Sequence, residues 1–290
     1  MIYLNSSIKG DVKIKIINDQ LLRNTIRIRP NHSFKGTYGK VTLVGGNQHF
    51  GGAIIMASSA AVYSGAGLVT TVADMSNSAA LHSRLPEAMI ADINDPDQVK
   101  DLVKPAKVIV IGSGLGTDAK SLAILREVFA TVSSQQILVI DGSAITLVAQ
   151  KHVQLPKAKL IFTPHQVEWQ RLSGIKLADQ KDIRKNQQVR DQLGGIVVLK
   201  SHHTQVYSDG EMLQNPIGTP AQATGGMGDT LAGMVGGFCA QFSNLRNAVA
   251  SAVYAHSDIA DHLAQNQYVV LPTQIIKWIP QYMKQHEARN

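Results

Sequence analysis

Short apolar runs rich in β-branched residues alternate with longer segments of helical periodicity along most of this chain. Such short runs are typical of strands that are buried on both faces of a sheet. Strands are therefore predicted at 41–44, 68–72, 107–111, 137–140, 159–162 and 195–200. Helical patterns follow several of them, including 53–64 and a segment that begins near residue 119. This alternation predicts an α/β protein with a mostly parallel central sheet and crossover helices.

The C-terminal third of the chain predicts a hairpin and two closing helices. Ser208-Asp209-Gly210 is a turn signal between two short strands at 204–207 and 212–213. Helices are predicted at approximately 229–241 and 244–264, and no linker, repeat or low-complexity tract interrupts the pattern. The expectation is one domain over 1–290, with a basic N-terminal segment, 1–30, packed on or near it.

A glycine or a polar residue stands just past the end of five predicted strands: Gly46, Gly112, Asp141, Thr163 and Lys200. In open α/β sheets, ligands bind in the crevice outside the carboxyl ends of the strands. We therefore expect these elements to gather along one edge of the sheet.

The net charge of +7 is concentrated near the N-terminus, where residues 9–40 hold eight Lys and Arg against two Asp, or +6. These basic residues alternate with Ile, Val and Leu, which favours an ordered, packed segment over a nucleic-acid-binding arm. Hydrophobic residues make up 44% of the chain and charged residues 17%, as in an ordinary globular enzyme.

The cysteine content and the apolar segments indicate the cellular compartment of the protein. The single cysteine, Cys239, lies in an apolar run and can form no intrachain disulfide, which indicates a reducing compartment. Residues 1–11 lack the apolar stretch of a signal peptide, and the longest apolar segment, 231–242, is too short and glycine-rich for a membrane span. The sequence therefore predicts a cytoplasmic protein with no membrane or nucleic-acid partner.

The run at 224–233, Thr-Gly-Gly-Met-Gly-Asp-Thr-Leu-Ala-Gly, is the most informative stretch of the chain. Its glycines permit close backbone approach, and the first turn of the following helix offers unpaired N–H groups at the positive end of the helix dipole. Asp229 would stand at this anion site, where it could accept a proton from a hydroxyl about to be phosphorylated. The residues alone equally permit an ordinary glycine-rich loop in which Asp229 is the helix cap.

Three further elements are ambiguous on their own. Gly112-Ser113-Gly114-Leu115-Gly116 resembles a dinucleotide-binding loop, but its third glycine comes one position early and Asp141 matches the expected acidic residue only loosely. His165 is either a ligand-binding or a structural histidine. Residues 200–204 either hold a nucleotide or form a polar hairpin connection.

Several familiar catalytic sequences are absent. There is no Walker A sequence and no G-x-S-x-G nucleophile sequence. No metal-ligand spacing is found either, since His202 and His203 are adjacent and would point in opposite directions in an extended chain.

Taken in order, these segments resemble the ADP/ATP-dependent NAD(P)H-hydrate dehydratases of the ribokinase-like superfamily. The resemblance covers about residues 30–275, and it is specific because seven motifs occur in the right order. The matching segments are 35–41, 45–53, 64–69, 112–116, 163–165, 200–204 and 225–229. One departure is Ser113, which stands where the family often has proline. The resemblance implies a ribokinase-like three-layer α/β/α fold with a central, mostly parallel sheet.

The resemblance also implies an activity and a set of site residues. The family restores NADH or NADPH from the hydrates NADHX and NADPHX by phosphorylating the hydrate hydroxyl and losing phosphate. Asp229 is implied as the catalytic base, and the backbone amides of Gly226, Met227 and Gly228 as an anion hole. The hydrate would contact Ala53, Gly114 or Gly116, His165 and Asp229. The AMP portion of the nucleotide would contact Gly228 and the run Lys200, Ser201, His202, His203 and Thr204.

The same resemblance implies cofactors and partners. Mg²⁺ would bridge phosphates and be held largely by substrate oxygens and water, with no protein ligand assigned. ADP is favoured over ATP as the phosphoryl donor. Many bacterial relatives carry a fused epimerase domain, for which this chain has no room, so it should act on the S epimer alongside a separate epimerase. A homo-oligomer, specifically a tetramer, is expected.

Three alternatives stay open from the sequence. Another ribokinase-like kinase, acting on a vitamin precursor or a sugar, would share residues 226–229 and the nucleotide site. An NAD-dependent oxidoreductase would rest only on the loop at 112–116. A non-catalytic nucleotide-binding module would have no need of Asp229.

Overall fold

The computed structural model describes residues 12–288. Two expectations therefore lie wholly or partly outside the described residues: the one for a signal peptide at 1–11 and the one for the first part of the basic segment 1–30. Ten strands are described: β1 Lys13–Ile16, β2 Lys40–Val44, β3 Leu68–Ala73, β4 Met89–Asp92, β5 Val108–Ile111, β6 Ile137–Ile140, β7 Lys159–Phe162, β8 Ile196–Leu199, β9 Gln205–Ser208 and β10 Glu211–Gln214.

These strands form one sheet in the order β1-β10-β9-β8-β7-β6-β5-β2-β3-β4. Strand β9 runs antiparallel to both of its neighbours, and every other pairing is parallel. The six predicted strands and the predicted hairpin are all observed. The α/β class with a mostly parallel sheet is confirmed.

Helices cover both faces of the sheet. They are α1 Asp19–Thr25, α2 Gly51–Tyr63, α3 Ser78–Arg84, α4 Pro96–Val103, α5 Ala119–Thr131, α6 Gly142–Lys151, α7 Gln166–Ser173, α8 Ile183–Leu193, α9 Met227–Gln241, α10 Leu245–Ala264 and α11 Pro272–Gln285. Two hydrophobic cores result, because successive side chains of a strand point to opposite faces. Val108 and Val110 belong to the core that includes α2 and α9, and Ile109 and Ile111 to the core on the other face.

The prediction that two helices close the fold was wrong, because α11 follows them. Strands β1 and β4 were also not predicted. All four residues of β1 are exposed, and only one residue of β4 is buried, so neither strand has the burial on both faces that marks the central strands. Within residues 12–288, no helix is both long enough and apolar enough to cross a membrane.

Helices α2 and α9 pack in unusually close contact, and this contact positions the site. A Cβ added to Gly233 of α9 would lie 2.0 Å from the carbonyl oxygen of Ala57 in α2. One built on Gly237 would lie 2.7 Å from the Ser64 Cβ. Only glycine allows the two backbones to approach this closely. The N-termini of α2 and α9 are thereby fixed relative to each other, and the glycine-rich segments stand at those two ends.

Candidate functional site

The five strand-end elements do lie along one edge of the sheet, because their strands are neighbours in the order β8-β7-β6-β5-β2. Hydrogen bonds join them in sequence. The Gly46 amide donates to the Ser113 carbonyl at 2.9 Å. The Thr163 hydroxyl and the Lys200 ammonium both donate to the Asp141 carboxylate. The glycine and polar ends of five strands therefore form one continuous lining.

The N-terminus of α9 faces this lining. Gly226 is the residue before the helix and has φ +93°, a left-handed conformation that favours glycine. Asp229 is the third helical residue, so the alternative in which it is the cap was wrong. The first N–H groups of a helix have no intrahelical partner. The amides of Gly226, Met227 and Gly228 therefore offer hydrogen-bond donors at the start of α9.

Lys200 brings a positive charge to the same place. Its Nζ lies 3.0 Å from Asp141 Oδ1. A Cβ built on Gly228 would lie 3.1 Å from the same Nζ, so the ammonium sits directly beside the first turn of α9. The charge of Lys200 thus adds to the positive end of the helix dipole. Burial opposes its charge, but the carboxylates of Asp141, Glu168 and Asp229 outweigh this and raise the pKa of Lys200.

The Asp229 carboxyl is a stronger base than an exposed aspartate. Burial raises its pKa to about 6, and the neighbouring Asp141 carboxylate acts in the same direction. Ser113 and Lys200 act in the opposite direction, although the Ser113 hydroxyl is outside hydrogen-bonding geometry. A carboxylate with this pKa is mostly ionised at neutral pH and is still a useful proton acceptor.

Gly114 and Gly116 lie on the loop after β5, which adjoins the loop at 45–50, and Ala53 lies in the first turn of α2 directly after that second loop. A Cβ on Gly114 would meet the Ala53 Cβ at 3.1 Å, and the Asn47 amide donates to the Gly114 carbonyl at 2.8 Å. Gly116 is at the far end of the same loop, where its amide donates to the Ser143 hydroxyl. Phe50, which sequence reasoning did not select, is 59% exposed beside Gly114. The two loops form one surface that ends in an exposed aromatic ring.

His165 has a structural role that is compatible with ligand binding. Its Nδ1 accepts hydrogen bonds from the amides of Val167 and Glu168, so the side chain caps α7. Burial and the charge of Lys200 lower the pKa of His165. The ring is half exposed, with Nε2 3.5 Å from Glu168 Oε1. The half-exposed ring can therefore contact a ligand while its Nδ1 caps α7.

The run 200–204 forms an exposed turn rather than an extended segment. The rings of His202 and His203 stack with centroids 4.2 Å apart, because this segment is a turn and not the extended chain in which they would point in opposite directions. The Ser201 hydroxyl donates to the His203 carbonyl, and the Thr204 hydroxyl to the Ser201 carbonyl. Lys200 reaches the first turn of α9, and the side-chain hydrogen bonds and ring contact of the other four residues lie within the run itself.

Sequence reasoning did not select three buried polar groups next to the site. Burial raises the pKa of Glu168 to about 7, and its carboxylate accepts from the His165 amide at 2.8 Å. Asp141 and Thr163 were noted only as strand ends. Position after a buried strand was the available signal for both, but it does not reveal which groups bind each other.

A fourth buried group lies behind the helix terminus. Burial and Lys200 lower the pKa of His256 to about 4, and its ring lies beside the Met227 backbone. Helix α10, which carries His256, reads from sequence as an ordinary packed helix. The part of the chain that the structure describes contains no group of three or more His, Cys, Asp or Glu side chains arranged to hold a metal ion.

Comparisons with known proteins place this chain among its relatives. The family model described as NAD(P)H-hydrate dehydratase matches residues 41–281. The ADP-dependent (S)-NAD(P)H-hydrate dehydratase of Lactiplantibacillus plantarum is 55% identical over 267 residues, which cover 92% of this chain and 96% of the relative.

Solved structures resemble the whole chain. A ribokinase-like superfamily protein of Enterococcus faecalis superposes with a TM-score of 0.93 at 45% identity, over 98% of this chain and 99% of that one. The ADP/ATP-dependent NAD(P)H-hydrate dehydratase of Bacillus subtilis, co-crystallised with ATP and Mg²⁺, superposes with a TM-score of 0.85 at 26% identity, over 94% and 99% of the two chains. The chain therefore belongs to the NAD(P)H-hydrate dehydratase family.

Proposed function

We propose that this protein is an ADP-dependent (S)-NAD(P)H-hydrate dehydratase that converts (6S)-NADHX and (6S)-NADPHX to NADH and NADPH. The observation that carries the proposal is the juxtaposition of a half-buried, basic Asp229 with the unpaired amides of α9 and the Lys200 ammonium. The 55% identity to an enzyme of that name supports the same substrate and donor.

The reaction needs activation of a poor leaving group. Asp229 takes the proton of the hydrate hydroxyl, and the oxygen attacks the terminal phosphorus of ADP. The bond from that phosphorus to the bridging oxygen breaks, and AMP leaves. Phosphate then departs from the ring carbon, and loss of a ring proton forms the double bond of NADH. The products are NADH, AMP and phosphate, so no oxidant or reductant is required.

Electrostatic stabilisation supplies most of the catalysis in phosphoryl transfer. Negative charge accumulates on the transferring group, which would lie against the amides of Gly226, Met227 and Gly228. Lys200 stands beside the same amides and opposes that charge. Because Asp229 is the third residue of the same helix, its position supports a hydroxyl in line with the phosphoryl group.

Mg²⁺ fits the site as a partner of the nucleotide rather than as an ion bound by the chain. The carboxylate of Asp141 is already bound to Thr163 and Lys200, and the described residues hold no cluster of metal ligands. Phosphate oxygens and water satisfy the octahedral preference of Mg²⁺. When bound, the ion neutralises phosphate charge, and the chain's part is to hold the nucleotide.

The proposal extends to site residues, organisation and setting. Ala53, Gly114 or Gly116 and His165 would contact the hydrate, and the run 200–204 the AMP portion. The chain would act as one domain, in the cytoplasm, with a separate epimerase supplying the S epimer. A homotetramer is proposed from the family resemblance, and exposed apolar side chains support self-association: Phe34 is 73% and Tyr268 97% exposed. Sedimentation velocity at several concentrations tests the assembly.

The direct test is recovery of the reduced-nicotinamide absorbance after mixing protein, Mg²⁺ and (6S)-NADHX with ADP, ATP or no nucleotide. Recovery that needs ADP supports the dehydratase. A stable phosphorylated product without NADH would instead support a ribokinase-like kinase of another hydroxyl compound. Failure of both donors, with protein shown to bind nucleotide, would exclude the proposed reaction.

Asp229→Asn provides the matched variant because it keeps the shape of the side chain and removes its basicity. Turnover should fall below detection while the Kd for ADP, measured by calorimetry, stays within about threefold, since the amides and Lys200 remain. Equal loss of ADP binding would identify Asp229 as a structural residue instead of a base.

A further inference from the structure

Asp141 is a residue of capping type that does not cap its helix. It immediately precedes α6, in the N-cap position, yet its side chain accepts no hydrogen bond from the first turn of that helix. Aspartate in this position ordinarily binds an amide two or three residues ahead. Here the carboxylate is 2% exposed and turns toward the neighbouring strand ends. A buried charge that gives up its local partners must be explained by the groups it meets instead.

Two groups bind the same carboxylate oxygen. The Thr163 hydroxyl donates to Asp141 Oδ1 at 2.6 Å, and the Lys200 ammonium donates to it at 3.0 Å. These residues follow β7 and β8, the next two strands of the sheet. The hydrogen bond from Thr163 fixes the carboxylate, so the carboxylate can in turn fix the end of a long, flexible lysine.

Lys200 has other possible partners nearby. The Glu168 carboxylate of α7 and the Asp229 carboxylate of α9 both interact with its charge, and His256 of α10 lies within its influence. An ion pair between Lys200 and Asp229 would tie up the proposed base. Since Lys200 binds Asp141, the ammonium is held beside Gly228 and the Asp229 carboxylate remains without a bound cation.

We infer that Asp141 is a positioning residue, which holds Lys200 against the first turn of α9 and so keeps the ammonium on the path of the phosphoryl group and away from Asp229. The inference deepens the proposed function and rests on it for the identity of the phosphoryl group. It assigns a role in the reaction to the Thr163–Asp141–Lys200 chain, with no contact between Asp141 and substrate.

The first test is the charge-neutral variant Asp141→Asn, which keeps the size of the side chain and an acceptor for Thr163. With Lys200 released, kcat for NADH recovery should fall by about 10- to 100-fold. The Asp229 carboxyl faces Asp141, Lys200 and Ser113, so loss of the Asp141 charge and closer approach of Lys200 should both lower its pKa. The acid limb of the kcat/KM profile should therefore move to lower pH. Asp182→Asn is the matched control, because Asp182 caps α8 away from the site.

A double-mutant comparison shows whether Asp141 acts through Lys200. In a Lys200→Met background, the additional substitution Asp141→Asn should lower kcat by less than about twofold, since the ammonium that Asp141 would position is already gone. If the losses of kcat from the two substitutions multiply, and the acid limb of the kcat/KM profile does not move, the inference is overturned and Asp141 is a packing residue. Thr163→Val removes one hydrogen bond and no charge. It should lower kcat by a smaller factor than Asp141→Asn does. This variant therefore tests the inference even if Asp141→Asn folds poorly.

One readout does not depend on turnover. The Asp229 carboxyl titration can be followed by NMR with ¹³C-labelled aspartate, assigned with Asp229→Asn, in wild-type protein and in Asp141→Asn. If Asp141→Asn lowers the pKa of Asp229 more in the wild-type background than in the Lys200→Met background, the inference is supported even when wild-type protein restores no NADH, a result that would reject the proposed function alone. An unchanged pKa in active protein would reject the inference alone.

Discussion

Replacing Gly228 by alanine should separate the stability of α9 from the chemistry at its N-terminus. Gly228 is the second residue of the helix and its φ is not positive, so alanine fits the backbone and gains up to about 1 kcal/mol of helix propensity. The new Cβ would lie 3.1 Å from Lys200 Nζ, so the ammonium must shift by a few tenths of an ångström. Such a shift loosens its contact with Asp141 and misplaces charge at the anion hole. We expect kcat/KM for ADP to fall by about 10- to 100-fold.

The assay combines NADH recovery with thermal unfolding followed by circular dichroism. The Tm of Gly228→Ala should be unchanged or higher by about 2 °C. Gly52→Ala is the matched control for stability, because Gly52 is the second residue of α2 and a Cβ there meets no atom within 4 Å. If Gly228→Ala keeps the wild-type kcat/KM, the argument that Lys200 lies beside the transferring phosphoryl group is refuted. A large drop in Tm would show instead that the backbone conformation of α9 requires glycine at this position.

Three further predictions follow from packing and protonation. The kcat/KM for the hydrate should fall as the pH drops through about 6, since burial raises the pKa of Asp229 to about 6 and only the ionised form accepts a proton; a flat profile from pH 5 to 8 would contradict this. Gly233→Ala should cost about 1–3 kcal/mol and lower the Tm by several degrees, because its Cβ would lie 2.0 Å from the Ala57 carbonyl oxygen; an unchanged Tm would argue against the close helix contact. Burial raises the pKa of Glu168 from 4.5 to about 7, so the folded state binds more protons in that window and stability falls as pH rises through it. In urea unfolding at pH 5 and 7.5, Glu168→Gln should lose less stability over this interval than wild type, and equal losses would exclude the effect.

The central strands were predictable because burial on both faces demands continuous apolar runs. Strands β5 to β8 show this directly, since 15 of their 16 residues are buried. The edge strands were not predictable for the same reason. Strand β1 is exposed at every position and pairs with β10 through its backbone, so its Lys-Ile-Lys-Ile alternation does not mark a buried face. Helix α11 escaped notice because its sequence contains an internal proline, Pro280, a residue that normally ends a helix.

The candidate site was predictable in location and less so in connectivity. Strand ends and helix starts are local features, so Asp229, Lys200 and the glycine loops could be identified one by one. Which partner a buried polar group chooses depends on residues far away in the chain, as the bond between Asp141 and Lys200 does. The ordinary behaviour of aspartate before a helix predicts a cap, and only the packed structure shows that Asp141 does something else.

The glycine contact between α2 and α9 limits how this scaffold can be re-engineered. Ala53 is in the first turn of one helix and Asp229 in the first turn of the other, so the spacing between acceptor and base is a property of the helix pair. Enlarging Gly233 or Gly237 would push the two helices apart and so change the distance between Ala53 and Asp229. Libraries aimed at new hydroxyl acceptors should therefore leave the helix pair intact and vary the exposed residues 48–50, whose side chains can change size without altering that spacing.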